Sequence, residues 1–303
     1  MDGERYGEVR APAPRTGVEW HAQSVPQPGV RVVCVQLECP DSEGVHDRLR
    51  RVLAQLRSID GADLVVLPEL WMTGYFSFDR YAQDAEPLDG PVLTALRRVA
   101  RERRWHMVAG SMVERSPNGR LHNTTVLIGP GGDLLQAYRK VHLFGHGSRE
   151  AELLTPGRDV ITSRTPFGTV GLATCYDLRF PELFRLLVDQ GAEIIVVVSA
   201  WPHERLDHWR ILTRARAVEN QVLLVACNAA GWQAGRQLAG SSVIVDPWGV
   251  VLAEGGDAPS LPAATFDTAR VADVRATFPA LAHRQFDILL INRLGESHGG
   301  DAL

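Results

Sequence analysis

From Arg31 onward, short apolar runs alternate with longer amphipathic ones, the rhythm of strands and helices in succession. The pattern predicts a strand over Arg31–Leu37, a helix over Val45–Ile59 and a strand over Asp63–Leu67. A second helix is expected over Gly90–Arg104, started by Pro91, whose missing N–H does no harm in a first helical turn. Strands are expected over His106–Glu114, Leu121–Ile128 and Leu134–Lys140, with Asn118-Gly119 as the hairpin turn between the first two.

The second half repeats the rhythm. It predicts strands over Thr169–Thr174, Glu193–Ser199 and Gln221–Cys227, and helices over Pro181–Gln190 and His203–Glu219. Two further strands, Ser241–Asp246 and Val250–Glu254, flank the turn Asp246-Pro247-Trp248-Gly249. The run Ile194–Val198 is apolar at every position, which suits a strand buried on both faces. An α/β fold with helices covering its sheets follows. Residues 1–29, with prolines at 12, 14, 26 and 28, carry neither period and are expected to form a flexible leader. No linker interrupts 30–303, so one domain with a short C-terminal tail is expected there.

Composition narrows the function. With 303 residues, 45% hydrophobic, the chain can bury a large core. A formal net charge of −4 argues against nucleic-acid partners, which call for a basic excess on one face. No apolar run approaches the roughly 18 residues of a membrane span, and no basic-then-apolar signal opens the chain, so the cytoplasm is expected. Cys34, Cys39, Cys175 and Cys227 lack metal-ligand spacing, and reduced thiols suit them better than disulfides.

Lys140 is the sole lysine among 32 basic residues. Arginine supplies surface charge equally well, but it cannot replace a compact ammonium on a flexible stem. Lys140 ends a predicted strand in Tyr138-Arg-Lys-Val-His142. Glu69 likewise follows a strand, in Leu-Pro-Glu-Leu, at the kind of strand end where α/β sheets place ligands. Cys175 stands where a strand meets a helix started by Pro181, a turn whose backbone N–H groups favour thiolate and a nearby oxyanion. Taken singly, Cys175 reads equally as a small buried hydrophobe, and Glu69 as a surface or helix-starting acid.

Together these strings resemble the nitrilase superfamily of carbon–nitrogen hydrolases. That family shows Leu-Pro-Glu, then Arg-Lys-Val/Ile-His, then Gly-x-x-x-Cys-Tyr-Asp-x-Arg-Phe-Pro-Glu, and all three occur here in that order. The likeness runs from about Arg31 to about Ala272. It implies a four-layer αββα sandwich that forms a homodimer or higher homo-oligomer. It also implies Cys175 as nucleophile, Glu69 as general base, and Lys140 with a backbone N–H near Tyr176 as oxyanion holder, with no cofactor and no metal. The family's second glutamate, between the lysine and a Pro-Gly pair, matches Glu150, six positions before Pro156; Glu152 is its neighbour in contention.

Tyr75-Phe76 and the loop Ser199-Ala200-Trp201-Pro202 are expected to line the pocket, and Arg179 to fix the nucleophile's turn by an ion pair or to meet a substrate carboxylate. His142 is expected in a structural role rather than in proton transfer. Within the family the strings around Cys175, with Ser-Ala-Trp-Pro and His208-Trp209, look most like the omega-amidase type. The implied reaction is hydrolysis of a small amide, with an N-carbamoyl hydrolase, a nitrilase and a catalytically idle binding protein as the rival readings. Tyr176-Asp177 departs from the Cys-Trp-Glu of true nitrilases.

Overall fold

The computed structural model describes residues 29–285. The expected leader, apart from Gly29, and the C-terminal tail after 285 lie outside the described residues. In chain order the first half gives β1 (Val30–Cys34), α1 (Val45–Arg57), β2 (Leu64–Val66), a short α2 (Tyr81–Asp84), α3 (Pro91–Arg103), β3 (His106–Arg115), β4 (Leu121–Ile128) and β5 (Leu134–Arg139). Then come α4 (Glu150–Leu153), β6 (Thr162–Thr165), β7 (Gly168–Thr174), α5 (Pro181–Asp189), β8 (Ile194–Ser199), α6 (Leu206–Asn220) and β9 (Leu223–Asn228). The hairpin β10 (Ala230–Gln233) and β11 (Arg236–Ala239) follows, then β12 (Val243–Val245), β13 (Val251–Glu254), β14 (Ala263–Phe266) and α7 (Ala269–Thr277).

Two six-stranded sheets form, ordered β14-β1-β2-β3-β4-β5 and β13-β12-β9-β8-β7-β6. Alternation of side chains along each strand then builds the layers. From the first sheet, Val32, Cys34, Leu64, Val66 and Val108 point to the second sheet and share one core with Val170, Leu172 and Ile194–Val198. Their neighbours Val33, Val65 and Met107 point the other way, onto Val52 and Leu56 of α1 and Leu93 and Leu96 of α3. On the far side of the second sheet lie Leu183, Phe184 and Leu187 of α5 and Trp209 and Ala217 of α6. The order is helix, sheet, sheet, helix. Burial of each such aliphatic side chain contributes about 1.5–3 kcal/mol, so the two inner sheet faces are what commit the chain to this stacking.

Every predicted strand and helix forms, with ends shifted by a few residues. The helix expected from His203 starts as a tight turn, His203–Arg205, before α6 proper. Periodicity does not reveal α2, α4, β6, β10, β11, β14 or α7. β6 (Thr-Ser-Arg-Thr) is a polar edge strand, and β14 exists because Val30 to Val33 pair antiparallel with Phe266 to Ala263. Such strands are set by a partner's free edge rather than by their own pattern.

The topology places the site. β1, β2 and β3 run parallel, and β5 runs in the same direction after the antiparallel β4. β7, β8 and β9 are parallel in the other sheet. The Glu69 N–H donates to the Ser199 carbonyl at 3.4 Å, so the carboxyl ends of β2 and β8 meet.

Candidate active site

Glu69 leaves β2 behind Pro68, and the backbone there is tightly held. The Ser111 N–H donates to the Pro68 carbonyl (3.3 Å) and the Leu70 N–H to the Ser111 hydroxyl (3.0 Å). β3 approaches through Gly110, at φ 71°, where a Cβ would overlap the Pro68 oxygen. Leu70 itself has φ 44°, a left-handed conformation that a leucine keeps only under the constraint of its surroundings.

Cys175 also sits in left-handed backbone, at φ 48°, between β7 and the tight helical turn Cys175–Arg179. Asp177, fully buried, clamps that turn. It accepts hydrogen bonds from the Thr174 N–H (2.9 Å), the Tyr138 hydroxyl (2.7 Å) and the His142 N–H (3.0 Å), and its Oδ1 lies 2.7 Å from His142 Nδ1. The expected Arg179 ion pair is therefore corrected: Asp177 fixes the turn, while Arg179 lies over the Trp201 ring at 4.8 Å and meets His208 Nδ1 at 3.2 Å. His142 lies beyond the end of β5 at Arg139, and its ring stacks on Phe180 at 3.8 Å.

Lys140 is wholly buried just beyond β5, and its ammonium is enclosed by two buried carboxylates. Nζ donates to Glu69 Oε1 at 2.8 Å and to both oxygens of Glu150 at 2.9 Å. Glu150, at the start of α4, also accepts from the Phe144 N–H (2.8 Å) and the Tyr75 hydroxyl (3.3 Å). Glu152 is 68% exposed and pairs with Arg149, so geometry separates the two acids decisively. Asn123 completes the cluster, its amide donating to Glu69 Oε1 and Glu150 Oε1, both at 2.8 Å. The Ala200 N–H holds the remaining oxygen of Glu69 at 2.9 Å.

Two carboxylates share one cation, which decides the protonation tendencies. Burial alone would lower the Lys140 pKa, but the charges of Glu150 and Glu69 outweigh it and hold the ammonium well above its ordinary 10.5. Glu69 is raised from 4.5, first by burial and also by the like charge of Glu150, against the pull of Lys140. Burial, then the Glu69 charge, raises the Cys175 thiol, which Lys140 opposes. The resting sulfur is thus a thiol, set beside a buried carboxylate.

Cys175 borders an open pocket. Tyr75, Tyr176, Arg179, Ala200 and Trp201, all expected near the substrate, line it. Phe144, Arg205 and Arg236 line it too and were not legible in the sequence, since each comes from a loop or hairpin whose position depends on distant contacts. Asn123 had a signal: His122-Asn-Thr-Thr125 puts four polar residues in a row within a strand, and all four are buried. No cluster of three or more His, Cys, Asp or Glu fit to hold a metal occurs among the described residues.

The carbon–nitrogen hydrolase family profile matches residues 31–276. The chain is 38% identical over 264 residues to the 2-oxoglutaramate amidase of Paenarthrobacter nicotinovorans, covering 85% of this chain and 90% of that one. It is 33% identical to the omega-amidase NIT2 of Mus musculus, covering 86% and 97%. The crystal structure of Nit3 of Saccharomyces cerevisiae, a member of branch 10 of the nitrilase superfamily, superposes with a TM-score of 0.78 at 30% identity, covering 88% of this chain and 100% of that one. Fold, sequence and the matched profile agree: this chain belongs to the carbon–nitrogen hydrolase family.

Proposed function

We propose that the protein hydrolyses the omega-amide of a small dicarboxylic acid to carboxylate and ammonia through a thioester on Cys175. The observation that carries this reading is that a thiol at the edge of a pocket shares its surroundings with a buried carboxylate and the chain's sole lysine. Glu69 takes the proton of Cys175 as sulfur attacks the amide carbon, and Lys140 stabilises the charge that develops on the carbonyl oxygen. The C–N bond breaks as Glu69 returns that proton to the departing ammonia. Water then attacks the thioester, Glu69 accepts its proton, and the C–S bond breaks to free the acid and restore the thiol. Glu150 and Asn123 position Lys140 and Glu69. The names of the two amidase relatives and the cationic Arg179 beside Cys175 support an acidic amide as substrate.

The test is ammonia release from succinamate and related amides, ureido acids and nitriles, with mass spectrometry of the trapped acyl-enzyme. Acylation of Cys175 and release from the acidic amides are expected. Folded protein that releases no ammonia from any of these compounds would sink the reading.

We also propose a cytoplasmic homodimer within one domain spanning 30–303. In support, the four cysteines are free and buried, and no helix among the described residues is long and apolar enough to cross a membrane. Ile211 and Val218 on α6 are 65% and 47% exposed, apolar surface that a partner subunit would cover.

A further inference from the structure

Three guanidinium groups converge on the pocket, from Arg179, Arg205 and Arg236. Some arginines outside the pocket are held by acids: Arg139, Arg149, Arg210 and Arg216 each pair with a glutamate. Arg205 and Arg236 have no carboxylate partner among the described residues; each lies over an aromatic ring that itself lines the pocket. Arg205 is 5.5 Å from the centroid of Phe144, and Arg236 is 5.1 Å from that of Phe76. Stacking of this kind fixes a guanidinium's plane while leaving its N–H edge free to bind.

The support beneath Arg236 is built rather than incidental. Arg236 stands at the turn of the β10–β11 hairpin, opposite Gln233, whose buried side chain accepts the Phe76 N–H at 3.1 Å. A bridge between Pro202 and Leu238 ties the same hairpin to the loop before Arg205. Both arginines are thus carried by backbone anchored to the pocket wall. Burial first, and then the charge of Arg205, lowers the Arg179 pKa, and a bound anion would relieve the like-charge part.

We propose that Arg205 and Arg236 are specificity-determining residues that bind the distal carboxylate of the substrate, so that the pocket selects anionic over neutral amides of equal length. The proposal rests on the amidase reading and names the residues that choose its substrate. Cys175 attacks one end of the molecule, and the rim arginines hold the other, charged end. A bidentate guanidinium–carboxylate contact suits this task better than a hydrated ammonium.

The experiment compares succinamate with butyramide, which replaces the carboxylate by a methyl group. For Arg205→Gln and Arg236→Gln the ratio of kcat/KM for succinamate over butyramide is expected to fall about 10- to 100-fold, carried by KM, with partial recovery in the lysine variants. An unchanged ratio in both, or equal losses on both amides, would overturn the assignment. Calorimetric binding of succinate separates this from failure of the amidase reading. Should the unsubstituted protein cleave neither amide, succinate binding weakened tenfold or more in the glutamine variants keeps the anion site and removes the amidase. Unaffected succinate binding removes the site itself.

Discussion

Lys140 carries the most information of any single residue, because it is wholly buried between Glu69 and Glu150, where a larger, planar guanidinium would have to displace its neighbours. For Lys140→Arg, turnover is expected to fall at least about 100-fold, the cost of losing one oxyanion donor, while overpacking changes stability by only about 1–3 kcal/mol. Steady-state kinetics beside denaturant melts measure both; near-normal turnover would remove the ammonium from the mechanism. Glu69 sets the pH response. Its carboxyl is raised from 4.5, and a base works only when ionised, so the acid limb of kcat/KM is expected above pH 4.5. In stability the sign is opposite. A carboxyl raised in the folded state favours folding fully below 4.5, and that contribution is lost as pH rises through the folded pKa. Lys140 behaves differently: its contribution is complete below 10.5 and is lost as pH rises through its own raised pKa, so melting temperature should drop at the alkaline edge. Labelling checks the thiol. Cys175 is 8% exposed, against 0% for Cys34 and Cys227 and 3% for Cys39, so iodoacetamide is expected to modify Cys175 first and more slowly in Glu69→Gln.

At the scale of elements, the reacting groups are held by three backbone devices rather than by one rigid helix. β2 ends at Val66, and the Pro68 backbone just beyond it is braced by β3 through Gly110; β5 stops one residue before Lys140; β7 gives way to a sharp turn at Cys175 under the Asp177 clamp. Gly110→Ala forces a Cβ against the Pro68 oxygen at positive φ, which displaces the loop carrying Glu69. Activity is expected to drop about 100-fold, since an error of about 1 Å in a catalytic group has that effect, with a melting temperature lowered by the strain. Unchanged kinetics in Gly110→Ala would show that the brace does not set the position of Glu69. The strand ends were legible because Leu-Pro-Glu, Arg-Lys-Val-His and the Cys175 string each close an apolar run. The Asp177 clamp was not, because its partners Tyr138 and His142 are about forty positions upstream, and only the meeting of β5 with β7 brings them to it.

For the whole molecule, two sheets packed face to face convert residues far apart in the chain into neighbours. Glu69 and Lys140 come from the first sheet and Cys175 from the second, so the site exists only when both halves have folded and docked. Exposed Ile211 and Val218 on the outer helical layer lead to a further expectation. Sedimentation should find a dimer, and Ile211→Glu with Val218→Glu should shift it toward monomer with circular dichroism unchanged. A monomer at all concentrations before substitution would refute the dimer.

The amino-acid sequence by itself determined the alternation of strands and helices, the doubly buried strand Ile194–Val198, and the three motifs that identify the family, because periodicity and turn chemistry act over a few residues. The spacing to Pro156 already pointed to Glu150, but tertiary structure alone decided how its two oxygens meet Lys140, the bridging of two carboxylates by Asn123, and the gathering of Arg205 and Arg236 at the pocket. Those are contacts between segments tens of residues apart, and their geometry is fixed by how the sheets stack, which no local pattern encodes.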